Sequence, residues 1–166
     1  MSLAVNKKSI LLKFLSIFSV VRIYNILLIV IAQYLTSIFI LSEKSFMEVI
    51  LDFNLFLIIL CSSISIASGY IINNFYDGKK DLINKPIKHK IDDVVNSSTK
   101  LNFYFILNLI AVFFASSISI RAVIFFSLYI FFLWLYSHKL KRILFIGNLF
   151  YSLLTITPFF CYPTVL

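Results

Sequence analysis

FNLFLIILCSSISIASGYIINNFYDGKKD, residues 53–81, decides how this chain folds. Its first 20 residues carry no charge, and about 20 mostly apolar residues are what a helix needs to cross the hydrocarbon core of a bilayer. Then the character changes: two asparagines, two aspartates and two lysines arrive within the last nine positions. A spanning helix that runs straight into a polar, oxygen-rich segment places that segment at the membrane surface.

The rest of the chain repeats the apolar theme. Of 166 residues, 61% are hydrophobic and 13% charged, against roughly half and about a quarter in a soluble domain. One small core cannot hide that much apolar surface, so a water-soluble monomer is excluded, and disorder with it. Five stretches are long enough, or nearly so, to span: 23–41, 53–72, 101–120, 122–136 and 146–166. Only Arg121 separates the third from the fourth, so 101–136 reads as a helical hairpin turning near 116–121. The expected fold is an all-α, polytopic transmembrane bundle in a single domain covering 1–166, with one long polar connection at 73–100. The first stretch is too long for a cleavable signal peptide and lacks its small-residue cleavage site. Cys61 and Cys161 lie in apolar runs and read as buried thiols.

Charge placement orients the bundle. Under simple alternation 13 of the 15 basic residues fall on one side: Lys7, Lys8, Lys13 and Arg22, six lysines between 79 and 100, and Lys139, Lys141 and Arg142. Lys44 and Arg121 fall on the other. The positive-inside rule therefore puts the N-terminus and both basic loops in the cytoplasm, of an inner membrane if the source is bacterial. In a soluble protein a net charge of +8 would point to nucleic acid; here it marks a membrane side, and no nucleic-acid partner is expected.

Within 73–100, Asn73, Asp77 and Asp81 are spaced i, i+4, i+8. If the second helix continues past the membrane surface they stack on one face, with Tyr70 on the same stripe. Three oxygen donors on one face suit a hard cation such as Mg²⁺, which takes one or two protein carboxylates and fills its shell with phosphate and water. The plainer reading is a solvated acidic face paired with its neighbouring lysines. In the first helix Arg22, Asn25 and Gln33 share a stripe with Ile29, and polar residues in a membrane helix usually face the bundle interior. The alternatives are an Arg22 that snorkels to the interface and a Gln33 that bonds a neighbouring helix. His89 and His138 read as ordinary solvated side chains.

Four segments in order carry a resemblance. Asn73-x-x-x-Asp77-x-x-x-Asp81 after Gly69-Tyr70-Ile71-Ile72 resembles the first aspartate-rich motif of the UbiA-type intramembrane prenyltransferases. Asn84-Lys85-Pro86-Ile87-Lys88 is similar to the segment that follows it there. Arg22-Ile23-Tyr24-Asn25 resembles the family's entry to helix one, and Tyr136 to Arg142 with Gly147-Asn148 its connection between helices four and five. The resemblance implies Mg²⁺-dependent transfer of a prenyl group from an isoprenyl diphosphate to a lipophilic acceptor in the bilayer. It implies Asn73, Asp77 and Asp81 as catalytic metal ligands. It also implies Arg22, Lys85, Lys88, Tyr136, Lys139 and Lys141 as diphosphate contacts, Lys141 ahead of Lys139, and Asn25 and Asn148 in the cavity wall.

Two departures from the family pattern matter. Lys88 stands where arginine is typical, a point charge in place of a planar fork. The family's second aspartate motif, expected beyond helix five, does not occur before Leu166. The expectation is therefore an N-terminal part of the fold, inactive alone, whose partner is a C-terminal half. The alternative is a non-catalytic membrane remnant or a subunit of a membrane complex. A CDP-alcohol phosphotransferase would need an aspartate where Asn74 stands.

Overall fold

The computed structural model describes residues 16–84, 86–87, 92 and 94–161, with the backbone alone at 79 and 80. Five helices carry the fold: α1 (Ile23–Thr36), α2 (Phe53–Asn84), α3 (Ser97–Ser116), α4 (Ile120–His138) and α5 (Leu144–Ile156). Among the described residues there is no strand. α1 continues through a π-turn, Ser37–Leu41, and α5 through a 3-10 turn, Thr157–Phe160. Ile23–Leu41, Phe53–Gly78, Ser97–Ser116 and Ile120–Arg142 are each long and apolar enough to span a membrane, and Leu144–Phe160 is a shorter apolar helix. The all-α multi-pass architecture expected from the sequence is the one observed. The fifth span read at 146–166 begins two residues earlier, at Leu144, and its last five residues lie outside the described ones.

α2 is the hub, packed by α3, α4 and α1. Its membrane stretch is 72% buried, against 11% to 22% for the other three, so it forms the centre and they the rim. A file of small polar residues makes the close approach possible: Ser62, Ser65 and Ser68 are all buried. Ser62 and Ser68 return their hydroxyls to the backbone oxygens of Ile58 and Ser65, at 2.9 and 2.8 Å, while among the described residues the buried Ser65 Oγ has no hydrogen-bond partner. The core around them joins Ile58, Cys61 and Ile66 of α2 to Ala115, Ala122, Phe126 and Tyr129 of the α3–α4 pair, with Leu154 and Cys161 closing it.

Local signals set the helix starts. Asp52 accepts from the N–H groups of Asn54 and Leu55 at 2.9 and 3.2 Å and caps α2. Ser119 caps α4 by accepting from Ala122 N–H at 3.1 Å. It thereby closes the hairpin at residues 117–119, inside the expected turn. Ser45 and Glu48 form a capping box on the short helix Phe46–Ile50.

The main difference from the sequence reading is at the end of α2. The connection expected at 73–100 is not a 28-residue loop: α2 continues twelve residues past Ile72, to Asn84, about 18 Å further along its axis. No proline intervenes before Pro86, and hydropathy alone marks where a helix leaves the membrane, not where it stops.

α5 shows how a break is tolerated in lipid. Pro158 has no N–H to give the carbonyl of Leu154; the hydroxyl of Tyr129 donates to that oxygen at 3.2 Å. Gln33 of α1 donates its amide to the carbonyl of Pro158 at 2.9 Å and to Ser62 Oγ at 3.2 Å. Of the two readings of Gln33, the interhelical hydrogen bond holds.

Candidate active site at the membrane face

Because α2 continues, Asn73, Asp77 and Asp81 lie on one helix face, a turn apart. What meets that face comes from 68 residues beyond Asn73 along the chain. Between α4 and α5 the backbone makes a single 3-10 turn, Leu140–Arg142. From it the ammonium of Lys141 donates to Asn73 Oδ1 at 2.9 Å and pairs with Asp77 Oδ1 at 2.8 Å. The pair is largely withdrawn from solvent, with side-chain exposures of 11% and 21%. The turn can sit this close because residue 147 is glycine: a Cβ there would stand 2.8 Å from the carbonyl oxygen of Leu140 and 3.2 Å from Lys141 Cα.

Directly beneath this cluster is a cavity of about 270 Å³. Asn73, Tyr70, Gly69 and Ile66 of α2 form one wall. Tyr129, Leu133, Tyr136 and Ser137 of α4, with Tyr151, Leu154 and Thr155 of α5, form the other. The rings of Tyr136 and Tyr151 lie 5.7 Å apart. The cavity is polar at the end nearest Asn73 and mostly aromatic and aliphatic elsewhere, a shape that accepts a charged head with an apolar chain.

Arg22 stands at the mouth. It is the one described non-glycine residue with positive φ, 53°, and it breaks the helix between residues 16–21 and α1. This left-handed conformation is uncommon for a residue with a Cβ. It places the guanidinium 5.3 Å from the Tyr70 ring centre, and Asn25 donates to the Tyr70 hydroxyl at 3.4 Å. Tyr70 is thus contacted by Arg22, just before α1, and by Asn25 within it, two of the residues that the sequence singles out.

The remaining expected site residues fall as follows. Asp81 is half-buried, one turn beyond Asp77. Lys139 is exposed and is not the lysine that reaches Asn73 and Asp77. Asn148 is also exposed, and neither it nor Asn25 is among the described residues that line this cavity. Lys85, Lys88 and His89 lie outside the described residues. His138 is exposed, as expected, with one face of its ring stacked on Trp134 (5.4 Å, 3°) and its edge meeting Tyr76 at 5.1 Å.

One polar residue has a part that the sequence does not reveal. Asp92 is 3% exposed. Its carboxylate accepts from Ser19 at 2.8 Å and from Asn74 at 2.9 Å, and its backbone carbonyl accepts from Ser16 at 3.3 Å. It ties the helical turn before Arg22 to α2 beside Asn73. Only an odd acidic pair, Asp92-Asp93, in an otherwise basic segment hints at it.

Among the described residues no three His, Cys, Asp or Glu side chains gather as a metal cluster. The donors that do converge are an amide and a carboxylate oxygen, with a second carboxylate one turn on. That Asn73 and Asp77 already share one cation shows that their oxygens aim at a common point. The set is hard and oxygen-only, which fits Mg²⁺.

Comparison with known proteins agrees with this geometry. A model of the UbiA prenyltransferase family matches residues 30–163. A solved digeranylgeranylglyceryl phosphate synthase is similar in structure, with a TM-score of 0.71 and 25% identity over 89% of this chain. The chain spans 51% of that protein's length. No curated protein matches.

Proposed function

The chain belongs to the UbiA prenyltransferase family, and on that premise we propose that it binds an isoprenyl diphosphate at the membrane face for Mg²⁺-dependent prenyl transfer to a lipophilic acceptor. The observation that carries the reading is the meeting of Lys141 with Asn73 and Asp77 over a largely apolar cavity. A greasy chain ending in a diphosphate needs both environments within a few ångströms of each other.

In this reading Asn73, Asp77 and Asp81 would hold the metal, and a bound Mg²⁺ would supply charge neutralisation on the departing diphosphate. Lys141 and Arg22 are the cations nearest this site and stabilise the negative charge that develops there. Lys85, Lys88 and Tyr136 are proposed to join them at the diphosphate. Tyr70, braced by Asn25, orients the head of the substrate. Ile66, Leu133 and Leu154 keep water from the allylic cation, which would otherwise be quenched to an alcohol. The solved relative is a digeranylgeranylglyceryl phosphate synthase, so a glyceryl phosphate lipid is the first acceptor to offer. Further residues of the family fold, on this or another chain, are proposed to complete the acceptor side, and the basic face is proposed to be cytoplasmic.

The test is equilibrium binding of radiolabelled geranylgeranyl diphosphate to the 166-residue chain in lipid nanodiscs. Binding is expected to need Mg²⁺ and to fall tenfold or more in Asp77→Asn, about the size of one charge-assisted interaction. Binding indifferent to both Mg²⁺ and Asp77 would remove the proposal.

A further inference from the structure

Lys141 raises a question that diphosphate binding alone does not answer. If its only partner were the substrate's leaving group, its ammonium would be expected to point at the cavity or at water when no substrate is there. Instead it sits on the two oxygens best placed to hold a divalent cation, 2.9 Å from Asn73 Oδ1 and 2.8 Å from Asp77 Oδ1. An ammonium is a compact point charge with three donors and can sit where a small metal ion would. The placement is built into the fold: the 3-10 turn that carries Lys141 is seated on Gly147, where no Cβ fits.

We propose that Lys141 is a tethered counter-ion that occupies the metal-facing oxygens of Asn73 and Asp77 until a divalent cation displaces it. Mg²⁺ binds oxygen at about 2.0–2.1 Å, well inside the ammonium distance. The two cations claim the same amide lone pair and repel each other across one carboxylate. Lys141 therefore weakens metal binding in the empty site and, once displaced, swings its charge toward an incoming diphosphate. The consequence is a penalty on loading: a divalent cation alone displaces Lys141 only at raised concentration, and an incoming diphosphate, by accepting the displaced ammonium, lowers the concentration needed. This deepens the function proposed above and rests on its metal reading.

The experiment reads metal binding directly. Mn²⁺ is titrated by electron paramagnetic resonance into the full chain in nanodiscs, wild type against Lys141→Gln and Lys141→Arg. Lys141→Gln is expected to bind Mn²⁺ about tenfold more tightly, the scale of one charge-assisted hydrogen bond no longer to be broken. Lys141→Arg keeps the charge and should stay close to wild type. Equal affinity in wild type and Lys141→Gln, or Mn²⁺ bound by neither, overturns the proposal. In the wild-type protein itself, acetylation of Lys141 by an amine-reactive ester, followed by mass spectrometry, should rise several-fold when Mg²⁺ is added without diphosphate. Unchanged or reduced labelling overturns it even if the variants fail to fold. Failure of the broader function reads differently, as an absence of geranylgeranyl diphosphate binding. Failure here leaves that binding intact.

Discussion

Gly147 enters the sequence reading only as half of a motif pair, yet it decides where the Lys141 ammonium goes. As a helical residue it should be improved by alanine, by about 1 kcal/mol of propensity. A Cβ would stand 2.8 Å from a backbone oxygen, which cannot rotate away as a side chain could, and overpacking of that kind costs about 1–3 kcal/mol. The second effect wins. Gly147→Ala is expected to lower the melting temperature in detergent and to weaken Mg²⁺-dependent diphosphate binding several-fold, by lifting the Lys141 turn off α2. A variant as stable as wild type with unchanged binding would show that the turn has slack. Asp92 is the opposite kind of residue, polar and charged in the sequence yet buried. Its importance came from three partners more than 15 positions away in the chain, and no local pattern could have announced them.

At the scale of elements, the reach of α2 governs the site. Were it to end at Ile72, Asn73, Asp77 and Asp81 would be loop residues with no shared face; as helix they are one stripe, about two turns long. The spacing was legible, and the length was not, because a helix leaving the membrane crosses from an apolar to a polar environment without any break signal. The end of α5 depends on its neighbours in the same way. Tyr129 takes the carbonyl that Pro158 leaves open, and irregular backbone persists at membrane depth only where such partners exist. Tyr129→Phe is expected to cost about 1 kcal/mol, the usual net worth of a hydrogen bond, read as a thermal shift. In a Pro158→Ala background, where an N–H is restored, the same change should cost clearly less. Additive losses in that double-mutant cycle would show that Tyr129 does not serve the proline break.

At the scale of the whole molecule, the pattern of charge predicts an orientation that single cysteines can read. Lys44, 59% exposed in the turn before α2, and Arg142, exposed after α4, lie at opposite ends of spans. Cys61 and Cys161 are buried and should stay silent toward a membrane-impermeant maleimide. In intact cells Lys44→Cys is expected to label and Arg142→Cys to label only after permeabilisation. The reverse pattern would invert the topology, and with it the side from which diphosphate arrives.

Composition and hydropathy alone determined that this is an all-helical membrane protein, and the ordered motifs determined its family. Both rest on short-range physics: the apolar length a bilayer demands, and side-chain spacing along one helix. Tertiary structure alone decided which lysine reaches Asn73 and Asp77, that Asp92 is a buried tie and that Arg22 adopts a left-handed backbone. Each depends on where two distant segments come to rest against each other. That is set by packing around α2, where a single missing Cβ at Gly147 or a serine file on one face outweighs any local preference.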